Sequence, residues 1–157
     1  MIDMNIYIER LCRHEGLRLM PYRCPQGKLT IGVGRNIEDN PFTSEELKAV
    51  GDWQHGITKN AALFLLRNDI KRVYRQCKKQ IPAFKSLNSD RQYALVDMAF
   101  NLGINGLLKF KKMLNALFYG NYDLAAKECL CSEYAEQTGK RAQIISQTLR
   151  SGIFPKE

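Results

Sequence analysis

The sequence predicts an α+β fold: a β-containing stretch near the N-terminus, followed by a chain that is almost wholly helical. Three observations predict it. Between Leu17 and Ile37, turn residues collect at Pro21, Pro25 and Gly27, and Lys28 to Arg35 alternates like a strand. From Thr58 onward, apolar residues recur at helical spacing. The 157 residues, 45% hydrophobic and 25% charged, suit one domain, or one domain of two lobes about a hinge, with a real core.

Taken in order, Asn5 to Arg13 reads as a short amphipathic helix with Ile6, Ile8, Leu11 and Cys12 apolar, and Gly16, after Glu15, can stop it. Gly32 and Gly34 inside the strand-like run point to a twisted or closely approached strand. Thr43 with Glu46 forms a capping box for a helix ending at Gly51. Thr58 caps a long helix through Cys77, on which Leu66, Ile70, Val73 and Cys77 share a face, and Pro82 forces a break soon after. Ser89 with Gln92 reads as a second capping box. Its helix, closed by Gly103, carries the apolar run Tyr93 to Phe100 and is the expected core helix. Further helices are expected near Leu108–Phe118, Tyr122–Cys131 and Gly139–Arg150, with Gly152 ending the last.

Composition excludes several classes. No run approaches the roughly 18 to 20 apolar residues of a membrane helix, so no stable membrane insertion is expected. Asp3, Asn5, Glu9 and Arg10 interrupt the apolar residues of the first segment, so no secretory signal is read there and the cytoplasm is the expected location. The five cysteines, Cys12, Cys24, Cys77, Cys129 and Cys131, show no metal-ligand spacing, and His14 and His55 have no partner at such spacing. Plain reduced thiols are expected at all of them but Cys24, with no metal and no cofactor. The net charge of +8 suits a polyanion: nucleic acid, anionic lipid or an acidic cell wall. No nucleic-acid reading motif accompanies it, so nucleic acid is not the expected partner. Lys78-Lys79 and the lysines from Lys109 to Lys112 read as solvated faces, and Trp53 as a cover for core.

Glu15 is the acid that stands out. It lies at a helix end before a glycine, and no other Asp or Glu occurs between residues 16 and 37. A helix-end carboxylate is ordinarily a solvated charge, but one among apolar and basic neighbours can hold a raised pKa and serve as a general acid.

The stretch Arg13-His14-Glu15-Gly16-Leu17-Arg18-Leu19, then Pro21-Tyr22, Gly27 and Thr30-Ile31-Gly32-Val33-Gly34-Arg35, resembles the active-site region of phage-type lysozymes, glycoside hydrolase family 24. That family spaces a Glu, eight residues, an Asp, five residues and a Thr; here the spacing reads Glu15, Cys24, Thr30. The likeness continues through Gly56-Ile57-Thr58-Lys59, Asp69, Phe100-Asn101-Leu102-Gly103, Thr138, Arg141 and Arg150-Ser151-Gly152. It implies a single lysozyme-like domain over 1–157: a β-containing lobe at about 14–57, a connecting helix at 58–80, and a helical lobe of 81–157 with 1–13.

The resemblance also implies the chemistry. Glu15 would protonate the leaving oxygen between N-acetylmuramic acid and N-acetylglucosamine in peptidoglycan, and a partner carboxylate would stabilise the oxocarbenium-like transition state or align water. Thr30 would help hold that water, Arg141 would fix the Glu15 carboxylate, and Phe100, Asn101 and Thr138 would contact sugar. Arg35 stands where a family member has a His paired with an Asp on the long helix, and an Arg35–Asp69 salt bridge would keep that pairing without titrating near neutral pH. The expected protein is a monomeric endolysin that reaches the wall through a holin-type export route.

Cys24 departs from the pattern. A thiolate there can act as base, weak nucleophile or electrostatic stabiliser. Alternatively Cys24 is a spectator beside Glu15, Thr30 and water, or it marks a catalytically impaired module that only binds glycan. A lytic transglycosylase, which works with one Glu, is a further alternative.

Overall fold

The computed structural model describes residues 2–156, and the outermost residues of the expected domain, Met1 and Glu157, lie outside them. The chain divides into two compact units, Met1–Lys71 and Arg72–Glu157.

The first unit opens with α1, Met4–Glu15. Asp3 caps it by accepting the Ile6 N–H at 3.3 Å, and Gly16 ends it at a φ of 76°. Strands β1 (Arg18–Arg23), β2 (Leu29–Gly32) and β3 (Arg35–Asn36) make an antiparallel sheet in the order β1-β2-β3. The expected strand from Lys28 to Arg35 is therefore two strands. The chain reverses at Val33 and Gly34, so that Arg35 pairs across from Ile31. Strand β1 carries no strand-like alternation in the sequence. Pro21 lies inside it, and the register with β2 is irregular between Arg18 and Tyr22, where proline has no N–H to give.

Helix α2, Ser44–Val50, carries the expected capping box: Thr43 Oγ1 accepts the Glu46 N–H and the Glu46 carboxylate accepts the Thr43 N–H. A single 3-10 turn follows at Trp53–His55. Helix α3, Lys59–Gln80, begins on Thr58, whose hydroxyl accepts the Ala61 N–H at 3.0 Å, and runs past Cys77 before Pro82 can stop it. Ile31, Val50, Ile57, Ala61, Ala62 and Leu65 form the core, with Ile37, Phe42 and Trp53 packed at its margin. Trp53 meets Phe42 edge-on, so it serves the core.

The second unit is helical: α4 (Ser89–Leu108), α5 (Lys111–Phe118), α6 (Tyr122–Leu130), α7 (Glu133–Thr138) and α8 (Lys140–Ser151). The expected Ser89–Gln92 box is replaced by Asn88, an equally good cap one residue earlier, which accepts the Arg91 N–H at 3.1 Å. Gln92 instead donates to the Phe84 carbonyl. As expected, Gly103 closes the first helical segment of α4. It breaks the helix at a φ of 76°, and helical hydrogen bonding resumes to Leu108. Helix α7 was not foreseen, being six polar-rich residues without a side-chain cap. Gly152 ends α8 in the left-handed conformation, as expected. Residues Tyr93 to Ala99 of α4 are all buried and form the centre of this unit with Leu107, Met113, Ile145 and Leu149.

All five cysteines are free thiols, and burial pushes Cys77 and Cys129 up to about 12. No helix among the described residues is long and apolar enough to cross a membrane.

Candidate active site

Glu15 is the last residue of α1, and Gly16 turns the chain directly into β1. Its half-buried carboxylate lies against the turn between β2 and β3. A β-carbon on Gly34 would stand 3.0 Å from Glu15 Oε2 and 3.2 Å from its carboxyl carbon. Gly34 also has a φ of 67°, which side chains rarely adopt. The turn thus needs glycine for its backbone and for the space that the carboxylate fills.

Cys24 follows β1 at the corner of the next turn. Its N–H donates to the Lys28 carbonyl at 2.9 Å, and its carbonyl accepts the Gly27 N–H at 2.8 Å. Both backbone groups are engaged, which fixes where the side chain begins. Burial opposes the thiolate, but hydrogen bonds from the Lys28 and Gln26 backbone and the Thr30 hydroxyl outweigh it, so the thiol lies below the ordinary cysteine value. Thr30 is buried on β2, and its hydroxyl also reaches the Lys28 carbonyl at 2.9 Å.

Tyr22 links the two acids. It pairs with Thr30 across the sheet, and Arg18 lies over its ring at 4.4 Å. Burial raises the Tyr22 pKa, the charges of Glu15 and Cys24 raise it further, and Arg18 opposes them. Glu15 and Cys24 therefore act on one phenol, which stays protonated at neutral pH.

Arg35 and Asp69 pair as expected, Nη1 to Oδ1, at 3.1 Å. The larger partner is Glu46. Its Oε1 and Oε2 take Arg35 Nη2 and Nη1 at 2.7 and 2.9 Å, a forked contact. Arg35 Nε donates to the Asn40 carbonyl and Nη2 to the Pro41 carbonyl, so all five guanidinium N–H groups are used. Asn68 donates to Glu46 Oε2 at 3.0 Å. Burial pushes the Glu46 pKa up, but Arg35, the Thr43 N–H and Asn68 more than reverse this and hold it at about 2.

In the second unit, Arg141 Nε donates to the buried Asp97 Oδ1 at 2.8 Å, and Tyr93 donates to Asp97 Oδ2 at 2.6 Å. Phe100 is half-buried and Asn101 exposed, just before the break at Gly103. The Thr138 hydroxyl donates to the Tyr134 carbonyl at 2.7 Å, one turn back in α7.

A carboxylate at a helix end thus stands against a glycine turn, next to a hairpin that carries a hydrogen-bonded thiol and a buried threonine. The chain belongs to the phage lysozyme family, whose model matches residues 12–150. It is 33% identical to the pre-baseplate central spike protein Gp5 of Enterobacteria phage T4, over 92% of this chain and 27% of that protein. The chain thus spans about a quarter of the spike protein's length. It is 30% identical to an endolysin of Acyrthosiphon pisum secondary endosymbiont phage 1, covering 84% of this chain and 80% of the endolysin. It is 26% identical to probable T4-type lysozyme 2 of Dictyostelium discoideum, covering 89% and 91%.

Glu46, Asp97 and Tyr22 carry little local signal for their places in these networks. Glu46 was seen only as a capping residue, because its partner Arg35 lies eleven positions away. Asp97 was hidden in an apolar helix, where a lone buried acid signals a cationic partner. Tyr22 lies two residues before Cys24 in an extended stretch, a spacing that puts two side chains on one face.

Proposed function

We propose that the chain is a muramidase that hydrolyses the β-1,4 bond between N-acetylmuramic acid and N-acetylglucosamine in bacterial peptidoglycan, and that it works as an endolysin in host lysis. The observation that carries this is the packing of the Glu15 carboxylate against Gly34, with Cys24 and Thr30 on the adjoining hairpin. Glu15 gives its proton to the leaving glycosidic oxygen. Cys24, as thiolate, stabilises positive charge developing on the sugar ring, and Thr30 helps orient the attacking water. Phe100, Asn101 and Thr138 contact glycan, and Arg141 supports the site, both on the family resemblance. The enzyme is monomeric, resides in the host cytoplasm, and reaches the wall by a holin-type route.

The likeness to a pre-baseplate central spike protein favours a second setting for the same activity, a lysozyme module carried on a spike. Both settings require the same bond cleavage. Mass spectrometry of muropeptides released from purified peptidoglycan tests it. Reducing N-acetylmuramic acid ends are expected; anhydro ends would make the enzyme a transglycosylase, and no release would leave a glycan-binding module.

A further inference from the structure

We infer that Glu46 is a positioning residue for the reaction: through Arg35 it holds the β2–β3 turn that walls the Glu15 carboxylate. The inference rests on Glu15 being the catalytic acid. Glu46 lies on α2 and is 1% exposed. Its forked contact takes two of the five Arg35 N–H groups; Asp69, Asn40 and Pro41 take the other three. A guanidinium with every donor engaged has one orientation. The backbone that carries it is then fixed as well, and the residue before it is Gly34, whose open side receives the Glu15 carboxylate. On the other side of the turn, Ile31 pairs with Arg35 and Thr30 with Asn36, so the same anchor sets the strand that carries Thr30.

This arrangement has a consequence that stability alone does not share. While the turn is held, Gly34 stands against the Glu15 carboxylate and shields that side of it. If the turn loosens, the carboxylate gains water, its charged form is favoured, and its pKa falls. The basic limb of the pH–rate profile, which reports loss of the acid's proton, then moves to lower pH.

The test is the pH dependence of kcat and KM on purified peptidoglycan for native enzyme, Glu46→Gln and Arg35→Lys, below each protein's melting temperature. Glu15→Gln and the core variant Val50→Ala are assayed in parallel. For Glu46→Gln and Arg35→Lys, kcat is expected to fall about tenfold with little change in KM, and the basic limb to move down by about half a pH unit or more. Val50→Ala, which opens a cavity in the core of this unit and leaves the Arg35 hydrogen-bond partners unchanged, should leave the limb in place. An unmoved limb in Glu46→Gln and Arg35→Lys, or an equal movement in Val50→Ala, overturns the inference; so does failure of both clamp variants to fold, which would make the clamp a stability element. Activity in folded Glu15→Gln would instead overturn the reading on which the inference rests.

Discussion

Gly34 and Glu15 fit each other as surface and insert: the space where a β-carbon would stand on Gly34 is bounded by the Glu15 carboxylate, 3.0 Å away at Oε2. The wall that Gly34 offers the acid is backbone, and backbone cannot swing away as a side chain can.

Gly34→Ala tests that fit. Alanine meets two penalties, a φ of 67° and the contact with Glu15. The expected cost is about 1–3 kcal/mol of stability, from a backbone conformation that side chains rarely adopt. The carboxylate must also move, and a displacement of this kind lowers kcat/KM by about 100-fold. Thermal melts and muropeptide release measure the two effects. Native activity in a folded Gly34→Ala would show that the turn does not set the acid.

The Arg35–Glu46 clamp predicts the acid side of the stability curve. The folded-state pKa of Glu46 is depressed to about 2 from an ordinary 4.5. A depressed carboxylate contributes stability that is fully present above its unfolded value and is lost as pH falls through its folded value. Glu46→Ala should cost about 3 kcal/mol near neutral pH, as expected for a broken buried ion pair. The gap between native and variant should shrink as pH falls from about 4.5 towards 2. Melting temperatures across that window check it, and a gap of constant size would contradict the assignment.

Cys24 predicts chemistry at the position where the proposed site carries a thiol. Hydrogen bonds to its sulfur lower the thiol, so thiolate is available closer to neutral pH than for an ordinary cysteine. Cys24→Asp should be active, because it restores a negative charge at the same place. Cys24→Ala should lose about 100-fold in kcat, the scale of one electrostatic stabiliser. Iodoacetamide should inactivate the native enzyme and spare it when peptidoglycan is bound. Full activity in Cys24→Ala would make the thiol a spectator.

The sequence carried the fold class through local signals. The Thr43–Glu46 box, Thr58, Gly16 and Gly152 each act within one helical turn, and each lies where the reading put it. It failed where two local signals competed or where the partner was distant. Pro21 masked β1 because proline argues against a strand, yet an edge strand with an irregular register accommodates it. Asn88 won the cap from Ser89 because both residue types cap well and only the following backbone decides between them. At the site, the Glu15, Cys24, Thr30 spacing was legible because it lies on one short stretch of chain. Glu46 and Asp97 were not, because a buried carboxylate is identified by its cation, and Arg35 and Arg141 approach them from other elements.

The central claim is that Glu15 supplies the proton that breaks the glycosidic bond, and the most direct measurement is muropeptide release from purified peptidoglycan by Glu15→Gln, with its fold checked by circular dichroism and thermal melting. The amide keeps the shape of the carboxyl group and can still hydrogen-bond, but it has no acidic proton to give. Release is expected to fall by at least about 1,000-fold while the melting temperature stays close to native, within the range that general acid catalysis supplies. A folded Glu15→Gln that releases muropeptides at a substantial fraction of the native rate would contradict the account, because the acid would then have to be another residue.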